Sequence, residues 1–97
     1  MPRTKAKTDE NQSKIVEELR DKGVSITCTH QMGRGFPDLV AGWNGMTFLF
    51  EVKTKNGRLT SAQTEFIAAW KGQVDVISSS EDALAIMKRS MKKASQA

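Results

Sequence analysis

A turn sequence between two apolar segments, Asn44-Gly45, constrains the fold of this chain more than any other feature. The segments beside it, residues 39–43 and 46–53, are the strongest candidate strands, and Asn-Gly between such segments indicates a β-hairpin with a two-residue type I′ turn. One face of this hairpin is entirely apolar: Leu39, Ala41, Trp43, Met46, Phe48, Phe50 and Val52. We therefore predict two antiparallel strands with this face buried.

The two-residue turn also determines which residues face one another. Trp43 pairs with Met46, and counting outward along both strands places Asp38 directly opposite Glu51. Because side chains alternate between the faces of a strand, Asp38, Glu51 and Lys53 share the face opposite the apolar one. Like charges directly opposite one another destabilise a sheet, so this carboxylate pair indicates a function rather than a contribution to stability.

Two carboxylates beside a lysine are typical of a site for a hard divalent cation. Mg²⁺ takes oxygen ligands from one or two carboxylates together with water and substrate phosphate. Such a cation lowers the pKa of bound water and stabilises charge on a phosphoryl oxygen, and a lysine beside it can orient the attacking water. The competing interpretation is structural: Asp38 would cap the turn after Pro37, while Glu51 and Lys53 would fray into solvent.

The rest of the chain predicts helices and strands around the hairpin. From the N-terminus these are a helix from Thr8 or Asp9 to Gly23, a strand over 24–30, a flexible loop over 31–36, the hairpin, a helix from Thr60 to Gly72, a strand over 74–77 and a helix after Ser80. The predicted order is α-β-β-β-α-β-α. We expect one α/β domain over residues 9–90, with a disordered basic arm at 1–8 and a basic C-terminal tail at 91–97.

Helical spacing predicts the buried side chains of the three helices. They are Ile15, Val16 and Leu19 in the first helix, Phe66, Ile67 and Trp70 in the second, and Leu84, Met87 and Met91 in the last. Trp43 and Trp70 are interpreted as packing residues rather than base-stacking platforms. Cys28 falls on the inward side of its strand, where it is expected to be an inert small hydrophobe.

The charges are distributed unevenly. The cations near the two ends are Arg3, Lys5, Lys7, Lys88, Arg89, Lys92 and Lys93, with no acidic residue among 1–8 or 88–97. Residues 9–87 contain all eleven acidic residues and are net acidic. The basic ends are either solubilising tails or nucleic-acid-binding arms.

A single cysteine, no long apolar segment and no apparent secretory signal predict a cytoplasmic protein with no membrane partner.

The residues around the carboxylate pair resemble a known family. Gly35-Phe36-Pro37-Asp38-Leu39-Val40, followed after the hairpin by Phe50-Glu51-Val52-Lys53, resembles the PD-(D/E)XK nuclease superfamily. The opening of that motif and the segment 57–63 are most similar to its VRR-NUC branch, the virus-type replication-repair nucleases. The resemblance runs from about residue 9 to residue 87. It implies the PD-(D/E)XK restriction-endonuclease-like fold, an αβββαβ core with a C-terminal helix, and divalent-metal cleavage of DNA phosphodiester bonds.

The same resemblance implies roles for individual residues. Asp38 and Glu51 would hold Mg²⁺, for which Mn²⁺ would substitute, and the backbone carbonyl of Val52 would add a ligand. Lys53 would assist the attacking water, and Gln63 would be an active-site residue. Many superfamily members add a Glu from the first helix; here Gln12 holds the inward position and Glu10 is a weaker candidate.

Other residues have two open interpretations. Gln63 is also the capping-box partner of Thr60. Arg34, Lys55 and Arg58 lie in segments beside the carboxylates, where they would bind phosphate or would simply be exposed. A lone histidine such as His30 is more often a packed or loop-end residue than a base.

The resemblance to the VRR-NUC branch and the single expected active site per chain also predict an oligomeric state. Stand-alone VRR-NUC proteins resemble junction-resolving enzymes, which are dimers, and no second nuclease or DNA-targeting domain is expected here. Paired cleavage of a branched DNA needs two sites, which a two-fold homodimer provides. We therefore predict a homodimeric, Mg²⁺-dependent endonuclease that resolves four-way (Holliday) junctions, in the host cytoplasm if the protein is encoded by a bacteriophage. The alternatives are an RNA-directed nuclease on the same fold and a non-catalytic nucleic-acid-binding module.

Overall fold

A computed structural model describes residues 7–96 of the chain and the side chains of residues 10–95. The elements are α1 (Lys7–Asp21), β1 (Ser25–Cys28), β2 (Leu39–Trp43), β3 (Met46–Val52), α2 (Ser61–Ala69), β4 (Asp75–Ile77) and α3 (Ser80–Gln96), with a short 3₁₀ helix at His30–Met32. The predicted order of helices and strands is confirmed. The fold is a small α/β structure with a four-stranded sheet and three α-helices, and its more specific assignment to the PD-(D/E)XK topology stays a prediction.

The hairpin has the predicted turn and the predicted register. Its pairs are Leu39–Phe50, Val40–Leu49, Ala41–Phe48, Gly42–Thr47 and Trp43–Met46. Asn44 and Gly45 have φ of 49° and 77°, the two positive values that a type I′ turn requires. The apolar face is buried as predicted, with Leu39, Ala41 and Phe50 fully excluded from solvent.

The sheet has the order β1-β2-β3-β4, and β4 is the one strand among the described residues that runs parallel to its neighbour. Just before β4 begins, the side chain of Gln73 takes the place of a strand. Its Oε1 accepts a hydrogen bond from the backbone N–H of Leu49 at 2.7 Å, and its Nε2 donates to the carbonyl of Leu49 at 2.9 Å. The amide thus satisfies backbone groups of β3 that β4 does not reach.

α1 and α3 cover the apolar face of the sheet. With the strands they form one core that contains Ile15, Val16, Leu19, Val24, Ile26, Leu39, Ala41, Phe48, Phe50, Val52, Ile77, Ala83 and Met87. The two helices are joined by a hydrogen bond of 2.8 Å that the hydroxyl of the buried Ser80 donates to Glu18. Among the described residues no helix is both long and apolar enough to cross a membrane.

The start of α1 and the end of α3 differ from the prediction. α1 begins at Lys7, one or two residues before the predicted cap, so it includes the last residues of the predicted arm; residues 1–6 lie outside the described range. α3 continues to Gln96, through most of the predicted C-terminal tail. The physical reason is that residues 85–94 are rich in Ala, Met and Lys, which are strong helix formers.

The prediction that Cys28 lies inward is wrong, because the first strand is shorter than its alternating pattern suggests. β1 ends at Cys28, whose partner Leu39 is the first residue of β2, and beyond this pair the two segments are joined only through Thr29. The chain then turns into the 3₁₀ helix, and both Cys28 and His30 are exposed.

Two apolar side chains predicted to be buried are exposed. Trp70 is 42% exposed because α2 ends at Ala69 rather than at Gly72, and none of the residues of α2 is fully buried. Met91 is 46% exposed, and its sulfur contacts the side-chain amide of Asn44 at 3.2 Å instead of entering the core. The packing interpretation holds for Trp43, which is partly buried against the core.

Candidate active site

The two predicted carboxylates meet where β2 begins and β3 ends, on the face of the sheet opposite the core. Leu39 pairs with Phe50, so the next position outward brings Asp38 beside Glu51. Oδ2 of Asp38 accepts a hydrogen bond of 3.0 Å from the backbone N–H of Val52. Glu51 is only 1% exposed, and the alternative in which it frays into solvent is therefore wrong.

The backbone on either side of Asp38 is held by Thr29, a residue that the sequence analysis did not single out. The N–H of Thr29 donates to the carbonyl of Asp38 at 2.7 Å, and its hydroxyl donates to the carbonyl of Pro37 at 2.6 Å. These two bonds extend the pairing of β1 and β2 by one residue and position the Asp38 carboxylate. No local sequence signal marks this role, because the bond partners are about nine residues away in the chain.

Glu51 carries a buried carboxyl group that is only partly satisfied. Its Oε2 accepts a hydrogen bond of 3.0 Å from Nε2 of Gln63, and Nζ of Lys53 lies 3.7 Å from the same oxygen. Oε1 is buried with no hydrogen-bond partner among the described residues. A buried polar atom without a partner costs free energy, so in a native structure it calls for an explanation such as an ion.

Burial is the largest cause of an unusual pKa at this site. The pKa of Glu51 lies at about 8 instead of 4.5: burial raises it most, the neighbouring Asp38 carboxylate raises it as well, and the nearby Lys53 opposes the shift. The lysine is itself partly buried, with 17% of its side chain exposed. The carboxyl of Glu51 is therefore largely protonated at neutral pH as long as no cation is bound.

Gln63 makes a contact for each of the two interpretations that the sequence left open. Its side-chain Oε1 accepts a hydrogen bond of 2.9 Å from the backbone N–H of Thr60. Its backbone N–H donates to the hydroxyl of Thr60 at 3.1 Å, which completes the capping box. At the same time its Nε2 donates to Glu51. One side-chain amide therefore caps α2 and contacts the buried carboxyl.

A close backbone contact holds the loop before Asp38 against α2. Gly35 has φ of 77°, and a Cβ at this position would overlap the backbone carbonyl of Ala62 in the first turn of the helix. Beyond it, Phe36 packs edge to face on Phe66 with 5.3 Å between the ring centroids. The loop that precedes Asp38 is thus fixed to α2, the helix that carries Gln63.

The structure does not bring the first-helix candidates into contact with the pair. Gln12 lines a cavity of about 580 Å³ together with Cys28 and His30, and no hydrogen bond joins its described side chain to Asp38 or Glu51. Glu10 is exposed.

The three cations predicted to bind phosphate lie in the chain segments that precede β2 and follow β3. Arg34, Lys55 and Arg58 are exposed, and Arg34 has φ of 56° between two glycines that also have positive φ. Lys55 lines a cleft of about 220 Å³ together with Lys53. The three side chains are free to meet a ligand that approaches this end of the sheet.

The donor set fits a hard divalent cation that has few protein ligands. Within residues 10–95 no group of three or more His, Cys, Asp or Glu side chains is arranged to hold a metal ion. Asp38 and Glu51 supply two carboxylates, one of them with the unsatisfied Oε1. The N–H and C=O of one strand residue point to the same side, so the carbonyl of Val52 points to the side where its N–H meets Asp38. Two carboxylates, one carbonyl and water form a set that Mg²⁺ accepts.

Fold and site together define a small α/β protein with a paired-carboxylate site beside a lysine at the end of a hairpin. The family model of the VRR-NUC domain matches residues 1–81, and the chain belongs to this family of nucleases. The resemblance predicted from the motif residues is thereby confirmed. No curated protein and no solved structure matches the chain significantly.

Proposed function

We propose that this protein is a metal-dependent DNA endonuclease that hydrolyses phosphodiester bonds, with Asp38, Glu51 and Lys53 at its centre. One observation supports the proposal above the others. Two carboxylates, of which one has a buried and unsatisfied oxygen, lie side by side with an ammonium group 3.7 Å away. For stability alone this arrangement is unfavourable, because two neighbouring carboxyl groups can be charged together only at a cost in free energy and the buried oxygen has no partner.

The carboxylates of Asp38 and Glu51, with the carbonyl of Val52, would hold Mg²⁺, and Mn²⁺ would substitute for it. When bound, the cation neutralises charge on the phosphate and lowers the pKa of water. The unsatisfied Oε1 of Glu51 supports this assignment because it is an acceptor that the protein itself leaves free.

The chain's own residues would orient the reaction. The ammonium of Lys53 lies beside the carboxyl pair, where it can donate a hydrogen bond to the attacking water and balance charge that develops on the phosphate. Gln63 holds the carboxyl of Glu51 in one orientation, and its own position is fixed by the cap of α2. Arg34, an exposed loop residue, would bind a flanking phosphate, as would Lys55 and Arg58 on the other side.

We further propose that the substrate is branched DNA, a four-way junction in particular, and that the protein acts as a homodimer. One carboxylate pair cuts one strand at a time, and paired nicks need two sites in a fixed relation, which two-fold symmetry supplies. The apolar surface around α2 supports self-association. Trp70, which follows the last residue of α2 and stacks on Phe66, is 42% exposed.

The test is incubation of the protein with four-way junctions, flaps, linear duplexes and structured RNA, with Mg²⁺, with Mn²⁺ and with a chelator. Metal-dependent paired nicks in the junction are the expected result, and sedimentation should give a dimer at micromolar concentration. Preferential cleavage of RNA would point to the RNA-directed alternative. Binding of nucleic acid without cleavage under any metal condition would show a non-catalytic module.

A further inference from the structure

A cluster of four cations lies on α3, away from the carboxylate pair. Lys88, Arg89, Lys92 and Lys93 are all exposed, and we call them the distal basic cluster. They occupy two consecutive turns of the helix, and no acidic residue follows Asp82 in the chain. Among the described residues the ion pair within 4 Å is that of Lys53 and Glu51, so none of the four cations is neutralised by such a pair.

The position of the cluster follows from the contacts at the two ends of α3. The helix begins beside the carboxylate site, because Asp82 in its first turn lines the same cleft as Lys53. It extends to the hairpin turn, where Met91 contacts Asn44. The seven residues of β3 separate these two ends, which at about 3.3 Å per residue corresponds to about 20 Å. The cluster therefore lies near the turn end of the hairpin on the core side of the sheet, and the carboxylates lie at the other end on the opposite face.

Helix electrostatics account for only part of the cluster. Cations are stabilised near a helix C-terminus, but this effect falls off within the last turn. Lys88 and Arg89 lie about two turns before Gln96, the last residue of α3. Asp75 shares a shallow depression with Arg89 and Lys93, yet its carboxylate already accepts a hydrogen bond of 2.8 Å from Gln73. Local structure therefore does not explain why four cations lie together here.

We propose that the distal basic cluster binds the phosphate backbone of a duplex arm of the substrate, at a distance from the scissile bond. The distance of about 20 Å along the hairpin corresponds to about six base pairs at 3.4 Å per base pair, and because the two regions also lie on opposite faces of the sheet, the contact is at least that far from the scissile bond. This inference rests on the proposed function, since it assigns a second contact region to the same DNA substrate. It explains how a protein whose residues 9–87 are net acidic retains a long-armed DNA.

The experiment compares two double variants that lose the same charge. Lys88→Ala with Lys92→Ala removes exposed cations one helical turn apart within the cluster, and Lys14→Ala with Lys71→Ala removes exposed cations elsewhere. Each protein is titrated into four-way junctions with loop-closed arms of about five or about eighteen base pairs. Ca²⁺ replaces Mg²⁺ in these titrations, and Kd is measured over a range of salt concentrations.

We expect the cluster variant to bind the long-armed junction about tenfold more weakly, with a salt slope smaller by about two, since each phosphate contact contributes about 0.9 to that slope. Its Kd for the short-armed junction should change less than twofold. The control variant should not discriminate between the arm lengths.

Two kinds of failure are distinguishable. Equal loss on both junctions, or no loss on either, would overturn the distal contact while leaving the nuclease proposal intact. Failure of the wild-type protein to bind any junction would overturn the junction proposal and the distal contact together.

Discussion

Gln63 donates a hydrogen bond of 3.0 Å to the buried carboxyl of Glu51 with the same amide group that caps α2. This relationship couples the first turn of a surface helix to the site. The capping box fixes the side chain of Gln63, and Gln63 in turn orients Glu51 of β3. The helix α2 itself buries none of its residues completely. A residue that looks like a local helix signal is thereby part of the candidate active site.

The two functions of Gln63 can be separated by comparing Gln63→Ala with Thr60→Ala. Each change breaks the capping box and should cost about 1 kcal/mol of unfolding free energy. Only Gln63→Ala removes the bond to Glu51. We therefore expect it to lower the cleavage rate at least tenfold, whereas Thr60→Ala keeps most of the activity. Similar cleavage rates for two equally destabilised variants would show that Gln63 acts only as a cap.

Asp38→Asn, Glu51→Gln and Lys53→Ala should each lower cleavage by a factor of about 100 or more, with DNA binding largely retained. An asparagine at position 38 can still accept the hydrogen bond from the N–H of Val52, and it removes the like charge beside Glu51. Thermal denaturation without metal, at a pH above 8 where Glu51 is also charged, should therefore show Asp38→Asn to be at least as stable as the wild type. Melting well below the wild type would mean that the Asp38 carboxylate has a structural role.

The raised pKa of Glu51 predicts how stability without metal depends on pH. Because this pKa is about 8 in the folded protein and 4.5 when the group is unperturbed, the folded state binds the additional proton between these values. The unfolding free energy should consequently fall as pH rises through this window, by up to about 1.4 kcal/mol per pH unit. Urea denaturation at several pH values measures it, and Glu51→Gln should remove this contribution to the slope.

Cation binding at the same carboxyl should release protons. A carboxylate ligand must be deprotonated, and Glu51 carries a proton at pH 7 in the metal-free protein because its pKa is about 8. Titration calorimetry with Mg²⁺ in buffers of different ionisation enthalpy should therefore report close to one proton released at pH 7 and fewer at pH 9. Mg²⁺ binding without proton release at pH 7 would contradict a direct contact between the ion and Glu51.

Removal of residues 1–6 tests the N-terminal cations without shortening α1, which begins at Lys7. The deletion takes away Arg3 and Lys5. If they bind phosphate, DNA affinity should fall uniformly across sequences, and the salt slope should decrease by about two. An unchanged slope in fluorescence anisotropy titrations would identify the segment as a solubilising tail.

The sequence by itself determined those features of this protein that depend on residues close together along the chain. Asn44 and Gly45 dictate a turn whose positive φ values and two-residue length leave one register for the hairpin. That register alone places Asp38 beside Glu51. Thr60 and Gln63 dictate the start of α2 for the same reason, since a capping box spans only three residues.

The tertiary structure decided which side chains are covered and which distant groups meet. Cys28 and Trp70 follow apolar patterns yet are exposed, because β1 ends at Cys28 and α2 contributes no residue to the core formed by α1, α3 and the sheet. The burial of Glu51, its raised pKa and its bond to Gln63 arise only when α2 docks against β3. The physical reason is that burial and long-range hydrogen bonds depend on how elements pack in space, whereas turns and caps depend on a few consecutive residues.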